Sequence, residues 1–381
     1  MNILLSIHHK MSKNAGAPGV TYQLFKEYEQ LGHNVMLFSF DSLPSYVPEK
    51  FKMLLFPFYL SRQINRLIKA NTLDVIDAST GDAWIWSILR RKKIRTVLVT
   101  RSHGLEHSVH ENLLEEKRLG NVKLSWKYPF YHGGIRLWEV AVSLRRADGS
   151  LFLNNHDMKY AVEQLQVKEA SSQVIGNGLP DYFLNLPVIN HLNSKIHTIR
   201  IAQVGSYIQR KGILYTARAM NNILEKYPNV ELSFIGTGCS REKVLADYHS
   251  AVHERIHVIS QYDHEELPSL LQNHHIKLFA TLSEGFPLGL IEAMACGLAP
   301  ITSYGPATFI QDGWDALIIP PRSSPAIEEK VETLINNPDL LFKLQVNAYE
   351  TAQEYKWSQI ACDTIEYYKQ LYTDSKVLMQ A

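Results

Sequence analysis

The chain alternates, twice over, between short runs of β-forming residues and stretches with helical periodicity, and this admits few architectures. Residues 2–7 (NILLSI) read as a buried strand. Over 18–31, Val20, Leu24, Tyr28 and Leu31 recur on one helical face, and Gly32 stands where a helix should stop. Further strands are expected at 34–40, 74–78, 95–100 and 149–153. The pattern restarts near residue 198, with a strand at 198–204, a helix at 212–226 and Pro228 beyond it. Strands at 230–235, 256–259, 276–280, 299–303 and 316–319 follow. Such alternation predicts an α/β protein with doubly wound parallel sheets. At about 150 residues per domain, the length supports two Rossmann-like domains. Residues 177–197 contain Asn177-Gly178, Pro180 and Pro187 with little periodicity. The expected organisation is therefore a first domain over 1–178, a linker over 179–197 and a second domain over 198–356. A terminal helix over 357–372 places Ile360, Thr364, Tyr368 and Leu371 on one side. Ligands of doubly wound sheets sit at the carboxyl ends of the strands, so two such halves would hold one in a central cleft.

Charge narrows the partners. Lys+Arg is 39 and Asp+Glu 38, a balance that disfavours a nucleic-acid coat. The balance hides an asymmetry: the first 195 residues hold 24 basic and 17 acidic side chains, the remainder 15 and 21. Cys239, Cys296 and Cys362 are too scattered for a disulfide framework or a cysteine metal site, so a cytoplasmic location is expected. The N-terminus, MNILLSIHHK, lacks the basic leader of a signal peptide, and no 18-residue apolar run is present.

Four places carry chemistry. The first is SEGFPLGLIEAMACG (283–297), directly after the strand at 276–280, with Glu284 and Glu292 eight positions apart. Gly285, Pro287 and Gly289 favour an open loop feeding a helix over 290–296, an arrangement suited to an anion. Glu292, placed in the first turn, would accept hydrogen bonds from vicinal hydroxyls, and Glu284 would reach a second polyol group. The alternative is a strand–turn–helix with two solvated glutamates. The second place is VGSYIQRKG (204–212), where Gly205 follows a strand and Arg210-Lys211 precede a helix. Two adjacent cations there suit a diphosphate, although they oppose the helix dipole. The third is NAGAPG (14–19), a Gly-rich loop that matches neither the dinucleotide fingerprint nor a phosphate-binding Walker loop. The fourth is Ser102-His103-Gly104 after the strand at 95–100; His103 would face the cleft and donate a hydrogen bond. His103, His107 and His110 have helical spacing, but no H-E-x-x-H signature accompanies them and no Asp-x-Asp is present, so no metal is expected.

Taken in order, these blocks resemble the retaining GT-B glycosyltransferases of family four, the group-one type. The resemblance rests on Gly16 and Gly19, LGHNV (31–35), HG (103–104), IGNGLPDYF (175–183), VGSYIQRKG (204–212), FIGTG (234–238), EGFPLGLIEAMACGLAPI (284–301) and KWSQIA (356–361). It implies transfer of a sugar, a hexose above all, from a nucleoside diphosphate sugar to an acceptor hydroxyl with retention. The nucleotide sugar is a co-substrate; no cofactor and no metal are implied. Glu292 would bind the ribose. Glu284, with backbone groups of Gly285, Phe286, Pro287 and Leu288, would hold donor sugar and phosphate. Arg210 and Lys211 would neutralise the diphosphate beside Gly205, Gly16 and Gly19 would approach from the first domain, and His103 would contact the donor sugar. The first loop departs from the family's usual Gly-Gly, and Pro287, lacking an N–H, removes one anchor. The terminal helix would cross back onto the first domain.

Other classes share these features. A non-hydrolysing nucleotide-sugar epimerase has the same architecture and needs no acceptor. A non-catalytic nucleotide-sugar-binding protein would keep Glu292 without turnover. The basic first half also carries two stretches rich in cations and aromatics. One runs over 50–69 with Lys50, Lys52, Arg62, Arg66 and Lys69 around the apolar 53–60; the other over 123–146 with Trp126, Lys127, Tyr128, Phe130, Tyr131, Arg136, Trp138, Arg145 and Arg146. Either could rest on an anionic membrane, pointing to a peripheral enzyme on the inner leaflet with a glycan or lipid-linked acceptor for surface polysaccharide. The competing reading is core residues flanked by ordinary surface cations.

Overall fold

In the computed structural model the described residues are 1–14, 16–91, 94–187, 197–303 and 309–380. The chain forms two compact units, one of Met1–Gly178 with Trp357–Ala381, the other of Leu179–Lys356. Residues 179–187, read as linker, belong to the second unit, and 188–196 lie outside the described residues.

The first unit is a six-stranded parallel sheet of β1 (Asn2–Ser6), β2 (Asn34–Phe38), β3 (Val75–Ser79), β4 (Val97–Arg101), β5 (Gly149–Phe152) and β6 (Ser172–Val174). Its order is β2-β1-β3-β4-β5-β6. The helices are α1 (Gly16–Gln30), α2 (Glu49–Lys69), α3 (Trp84–Leu89), α4 (Glu106–Arg118), α5 (Arg136–Arg146) and α6 (Asn155–Leu165). The strands β3 and β4 are buried along their whole length, as a parallel sheet covered on both faces requires. One apolar cluster joins Phe56, Leu60 and Ile64 of α2 to Ile76 and Leu98 of β3 and β4. Two elements have no counterpart in the periodicity reading. The helix α2 continues through Pro57, which is itself buried, because Phe56, Leu60 and Ile64 seal one face against the sheet. The edge strand β6 is only SQV, too short and polar to announce itself.

The second unit contains β7 (Ile199–Val204), β8 (Val230–Ile235), β9 (Ile256–Ile259), β10 (Ile276–Phe279), β11 (Ala299–Ser303) and β12 (Leu317–Ile319). They are parallel in the order β12-β11-β10-β7-β8-β9. Its helices are α7 (Ile213–Lys226), α8 (Arg241–Leu245), α9 (Leu267–Leu271), α10 (Leu288–Ala295), α11 (Ser324–Asn336) and α12 (Pro338–Gln353). Strand order reverses between β7 and β10, the position where open α/β sheets open a crevice for ligand. The corresponding reversal in the first unit lies between β1 and β3.

The final helix, α13 (Trp357–Gln380), runs longer than its periodicity suggests and packs on α1 and β4 of the first unit. A buried polar centre holds it there. Arg101 donates from Nε to Asp77 at 2.8 Å and from Nη2 to the Tyr368 hydroxyl at 3.2 Å. The Tyr368 hydroxyl in turn donates to Asp77, and Tyr28 lies within 3.3 Å of it. Arg101 and Asp77 are each 3% exposed, so the pair depends on these mutual bonds to offset desolvation.

Candidate functional site

Each unit presents its own set of polar side chains at the carboxyl ends of its strands. In the second unit the set begins at Gly205, whose φ of +116° turns the chain sharply off β7. A short turn, Gln209–Lys211, then leads to Gly212. A Cβ on Gly212 would lie 1.9 Å from the Ala280 carbonyl oxygen, so only glycine lets this loop press against the end of β10. That approach sets Arg210 and Lys211 against the segment after β10. The Leu282 N–H donates to the Arg210 carbonyl at 2.8 Å, and Arg210 Nη1 donates to the Ser283 carbonyl at 3.1 Å.

Glu284 is the acidic partner of both cations. Lys211 Nζ lies 2.5 Å from Oε1 and Arg210 Nη1 3.4 Å from Oε2, while the Thr281 hydroxyl donates to Oε1 at 3.1 Å. The Glu284 side chain is 9% exposed, against 39% for Arg210. One carboxylate thus holds two cations beside each other, leaving an excess of positive charge.

Glu292 takes a different environment. The helix α10 starts at Leu288, two residues earlier than the sequence suggests, so Glu292 sits in its second turn rather than its first. It is buried, with Oε1 2.8 Å from His264 Nε2. His264 Nδ1 is 2.5 Å from the Tyr182 hydroxyl. Burial pulls the His264 pKa down, but the hydrogen bond to Glu292 and the charges of Glu292 and Glu265 more than offset it, and the net shift is upward. Neither glutamate is solvated.

The loop between them differs from expectation in part. Phe286 is buried and stacks on Phe309 with ring centroids 5.3 Å apart, and it also meets Tyr355. Pro287 has no N–H, and the Leu288 N–H is taken by the Phe286 carbonyl at 2.9 Å. Of the four backbone positions expected to face a ligand, two therefore have no N–H to offer. Gly289 is helical rather than part of an open loop.

In the first unit, Gly16 and Gly19 are also helical: α1 begins at Gly16, so GAPG forms its first turn and not a loop. Gly19 packs closely, since a Cβ there would stand 3.1 Å from the Lys13 carbonyl oxygen. His103 follows β4, with Nε2 3.1 Å from the Ser79 hydroxyl. That hydroxyl donates to the Ser6 carbonyl at 3.0 Å, so its proton is committed and it must accept from His103. Nε2 therefore carries the hydrogen. Nδ1 is left as a buried acceptor with no partner among the described residues, a reversal of the donor role expected for this side chain. Burial first, then the charges of Arg101, His8 and His9, push the His103 pKa down to about 3, so the ring is neutral.

A second network surrounds it that sequence reasoning missed. His8 Nδ1 lies 2.6 Å from Asp82, which also accepts from the Ser6 hydroxyl at 3.0 Å. Arg136 Nη2 donates to the Thr80 carbonyl at 2.7 Å, to Glu106 at 3.0 Å and toward His8 Nε2 at 3.3 Å. The only advance signal was His8 and His9 at the end of a strand. His103, His107 and His110 diverge: His110 bonds Tyr128 at 2.9 Å, and His107 packs on Tyr160. Among the described residues no group of three or more His, Cys, Asp or Glu side chains is placed to hold a metal ion.

Comparison with known proteins adds the following. Residues 198–337 match the family model described as Glycosyl transferases group 1, and 15–181 match Glycosyltransferase Family 4. The Escherichia coli UDP-Gal:alpha-D-GlcNAc-diphosphoundecaprenol alpha-1,3-galactosyltransferase is 24% identical over 56% of this chain. The chain spans only 55% of the length of that relative. The Campylobacter jejuni N,N'-diacetylbacillosaminyl-diphospho-undecaprenol alpha-1,3-N-acetylgalactosaminyltransferase is 32% identical over 25% of this chain and 26% of its own. The sucrose-phosphate synthase structure from Thermosynechococcus elongatus superposes with a TM-score of 0.79 at 19% identity, covering 98% of this chain and 99% of that one.

Proposed function

The chain belongs to the group 1, family 4 glycosyltransferases, and we propose that it moves a hexose from a nucleoside diphosphate sugar to an acceptor hydroxyl with retention of configuration. Its two parallel-sheet Rossmann-like units have the GT-B fold. The observation that carries the reading is the Arg210–Lys211–Glu284 cluster at the β7/β10 strand reversal. Departure of the diphosphate from an oxocarbenium-like centre is the difficult step. Two cations held in place before the reaction stabilise the charge that grows on the leaving phosphate, and they do so most in the transition state. Glu284 keeps both cations oriented and reaches the donor sugar. Glu292, fixed by His264, accepts from the ribose hydroxyls. Within the first unit, neutral His103 presents Nδ1 as an acceptor for a sugar hydroxyl, and the α1 first turn with Gly16 and Gly19 is that unit's proposed donor-binding element. No metal and no cofactor take part in this scheme.

The test is a donor screen. UDP-, GDP- and ADP-sugars are added with and without acceptor glycans, in the presence of excess chelator. Transfer to an acceptor that survives chelation is the expected result. Turnover of the sugar nucleotide to an epimer without acceptor, or complete loss restored by Mg²⁺ or Mn²⁺, would overturn the scheme. Glu292→Gln is expected to weaken nucleoside diphosphate binding by about tenfold, the worth of a charge-assisted hydrogen bond. The same change should return His264 toward the ordinary histidine value of 6.5, read by NMR titration. The sign follows: a raised histidine pKa gives stability that is full below 6.5 and lost as pH rises through the folded value. Unchanged nucleotide affinity by calorimetry would return Glu292 to a structural role.

The acceptor reading places the enzyme in the cytoplasm, at the inner face of the membrane, acting on a glycan or lipid-linked acceptor. Tyr46, Leu54, Phe58, Leu89, Trp126 and Phe130 are all exposed on the first unit, while Phe56 and Leu60 between them are buried. A cavity of about 800 Å³ is lined by Arg62, Arg66 and Lys69 alongside Phe58 and Leu89. Aromatic side chains beside cations suit an anionic lipid surface, each cation contributing about 1 kcal/mol. No helix among the described residues is long and apolar enough to cross a membrane. Flotation with anionic liposomes that weakens with salt is expected; equal absence from anionic and neutral liposomes would exclude the contact.

A further inference from the structure

One buried group in the second unit takes no part in this scheme. Strand β10 alternates, with Ile276 and Leu278 entering the apolar cluster shared with α7 and α11. Lys277 and Phe279 take the opposite face. Lys277 is 0% exposed, and its Nζ has no hydrogen-bond partner among the described residues. Lysine is almost never fully buried unless paired, and methionine would fill the same space without burying an amine. Packing does not account for it.

Its surroundings point to the donor site. Lys277 Nζ lies 5.5 Å from the centre of the Phe279 ring, and Lys211 Nζ lies 5.4 Å from the same ring. The charged groups acting on it are Lys211, from the turn after β7, Glu292 of α10, and Glu284 of the loop after β10. Its register partners on the neighbouring strands, Ala202 and Pro300, are not ionisable.

We propose that Lys277 is a proton-accepting residue of the donor site, uncharged while the site is empty and protonated when a nucleoside diphosphate settles on Arg210 and Lys211. The inference rests on the donor-site reading given above. In the empty unit, burial and the charge of Lys211 hold the amine well below the usual lysine range, against the pull of Glu292 and Glu284. A diphosphate diester brings two negative charges onto Arg210 and Lys211. It offsets the repulsion from Lys211 and leaves both carboxylates pulling toward the charged form. The Nζ lone pair then takes one proton from the solvent buffer, and no other bond breaks. The ammonium so formed shares the Phe279 ring with Lys211, so it adds positive charge on the side of the two cations, and positive charge placed before the reaction favours departure of the sugar.

Proton linkage tests this directly. UDP-glucose, GDP-mannose or ADP-glucose, whichever raises the melting temperature, is titrated calorimetrically in HEPES and in Tris between pH 6 and pH 9. Sugar nucleotides carry diphosphate diesters that do not titrate in this range, so proton uptake reports on the protein. The wild type is expected to take up about one proton on binding, and its affinity to fall by up to about tenfold per pH unit as pH rises. Lys277→Met is expected to bind without that proton and with a flatter pH profile. His264 is present in both proteins, so the difference isolates Lys277. Lys277→Gln serves if the methionine variant does not fold. Equal uptake in wild type and variant, or none in the wild type, overturns the inference while leaving the donor site standing. Absence of binding by every sugar nucleotide overturns both.

Discussion

Arg210→Ala is expected to lower kcat by about 10²–10³, the 2.7–4 kcal/mol that one preorganised donor aimed at developing charge is worth. The geometry says why the loss should fall on kcat more than on KM. Arg210 is more exposed than Lys211, and its Nη1 is held between the Ser283 carbonyl and Glu284. Its charge is therefore already in place before a diphosphate arrives, and no reorganisation is needed as the leaving group gains charge. Lys211 remains to bind the ground state in the variant, so the KM for donor should change less than kcat. Donor saturation curves for wild type and variant, followed by nucleotide release, separate the two effects. Wild-type turnover in Arg210→Ala would remove the cation cluster from the mechanism.

Asp77→Ala is expected to destabilise the first unit by about 3–5 kcal/mol, because it strands a buried guanidinium. Arg101 would keep only tyrosine hydroxyls as partners, at 3.2 and 3.4 Å. For a unit of this size each kcal/mol shifts melting by roughly 2–4 °C, so the transition should fall by roughly 6–20 °C. The loss should loosen α13, since Tyr368 donates to Asp77 and is fully buried. Replacing both members, Asp77→Leu with Arg101→Met, is expected to recover most of the stability, as an apolar pair carries no desolvation penalty. A melting temperature unchanged in Asp77→Ala would show that the ion pair does not anchor the helix.

Much of the candidate site was legible because its residues cluster in the chain. Gly205, Arg210 and Lys211 lie within one loop, and Glu284 and Glu292 within one strand–helix connection, so spacing alone brought each group into view. The residues that these candidates meet in the structure were not legible. His264 meets Glu292 across 28 positions, and Arg136 reaches His8 across 128. Lys277 sits one residue into a strand whose alternation marks it as facing away from one core, and nothing local tells that the other face is sealed too. The Gly-rich first turn failed for another reason. Glycine and proline near a helix start are compatible with a loop and with a first helical turn alike, and here Gly16–Gly19 form the first turn of α1.

The sequence by itself determined the kinds of element, their alternation and the residue types delivered to the strand ends, because periodicity and turn chemistry act over a few neighbouring residues. Tertiary structure alone decided the chemical state of those residues. It buried Glu292, paired Glu284 with two cations, committed the His103 hydrogen to Ser79, raised the His264 pKa and left the Lys277 amine without an acceptor among the described residues. Protonation and pairing depend on dielectric and on charges brought together from distant segments, and those exist only once the sheets and helices have closed around them.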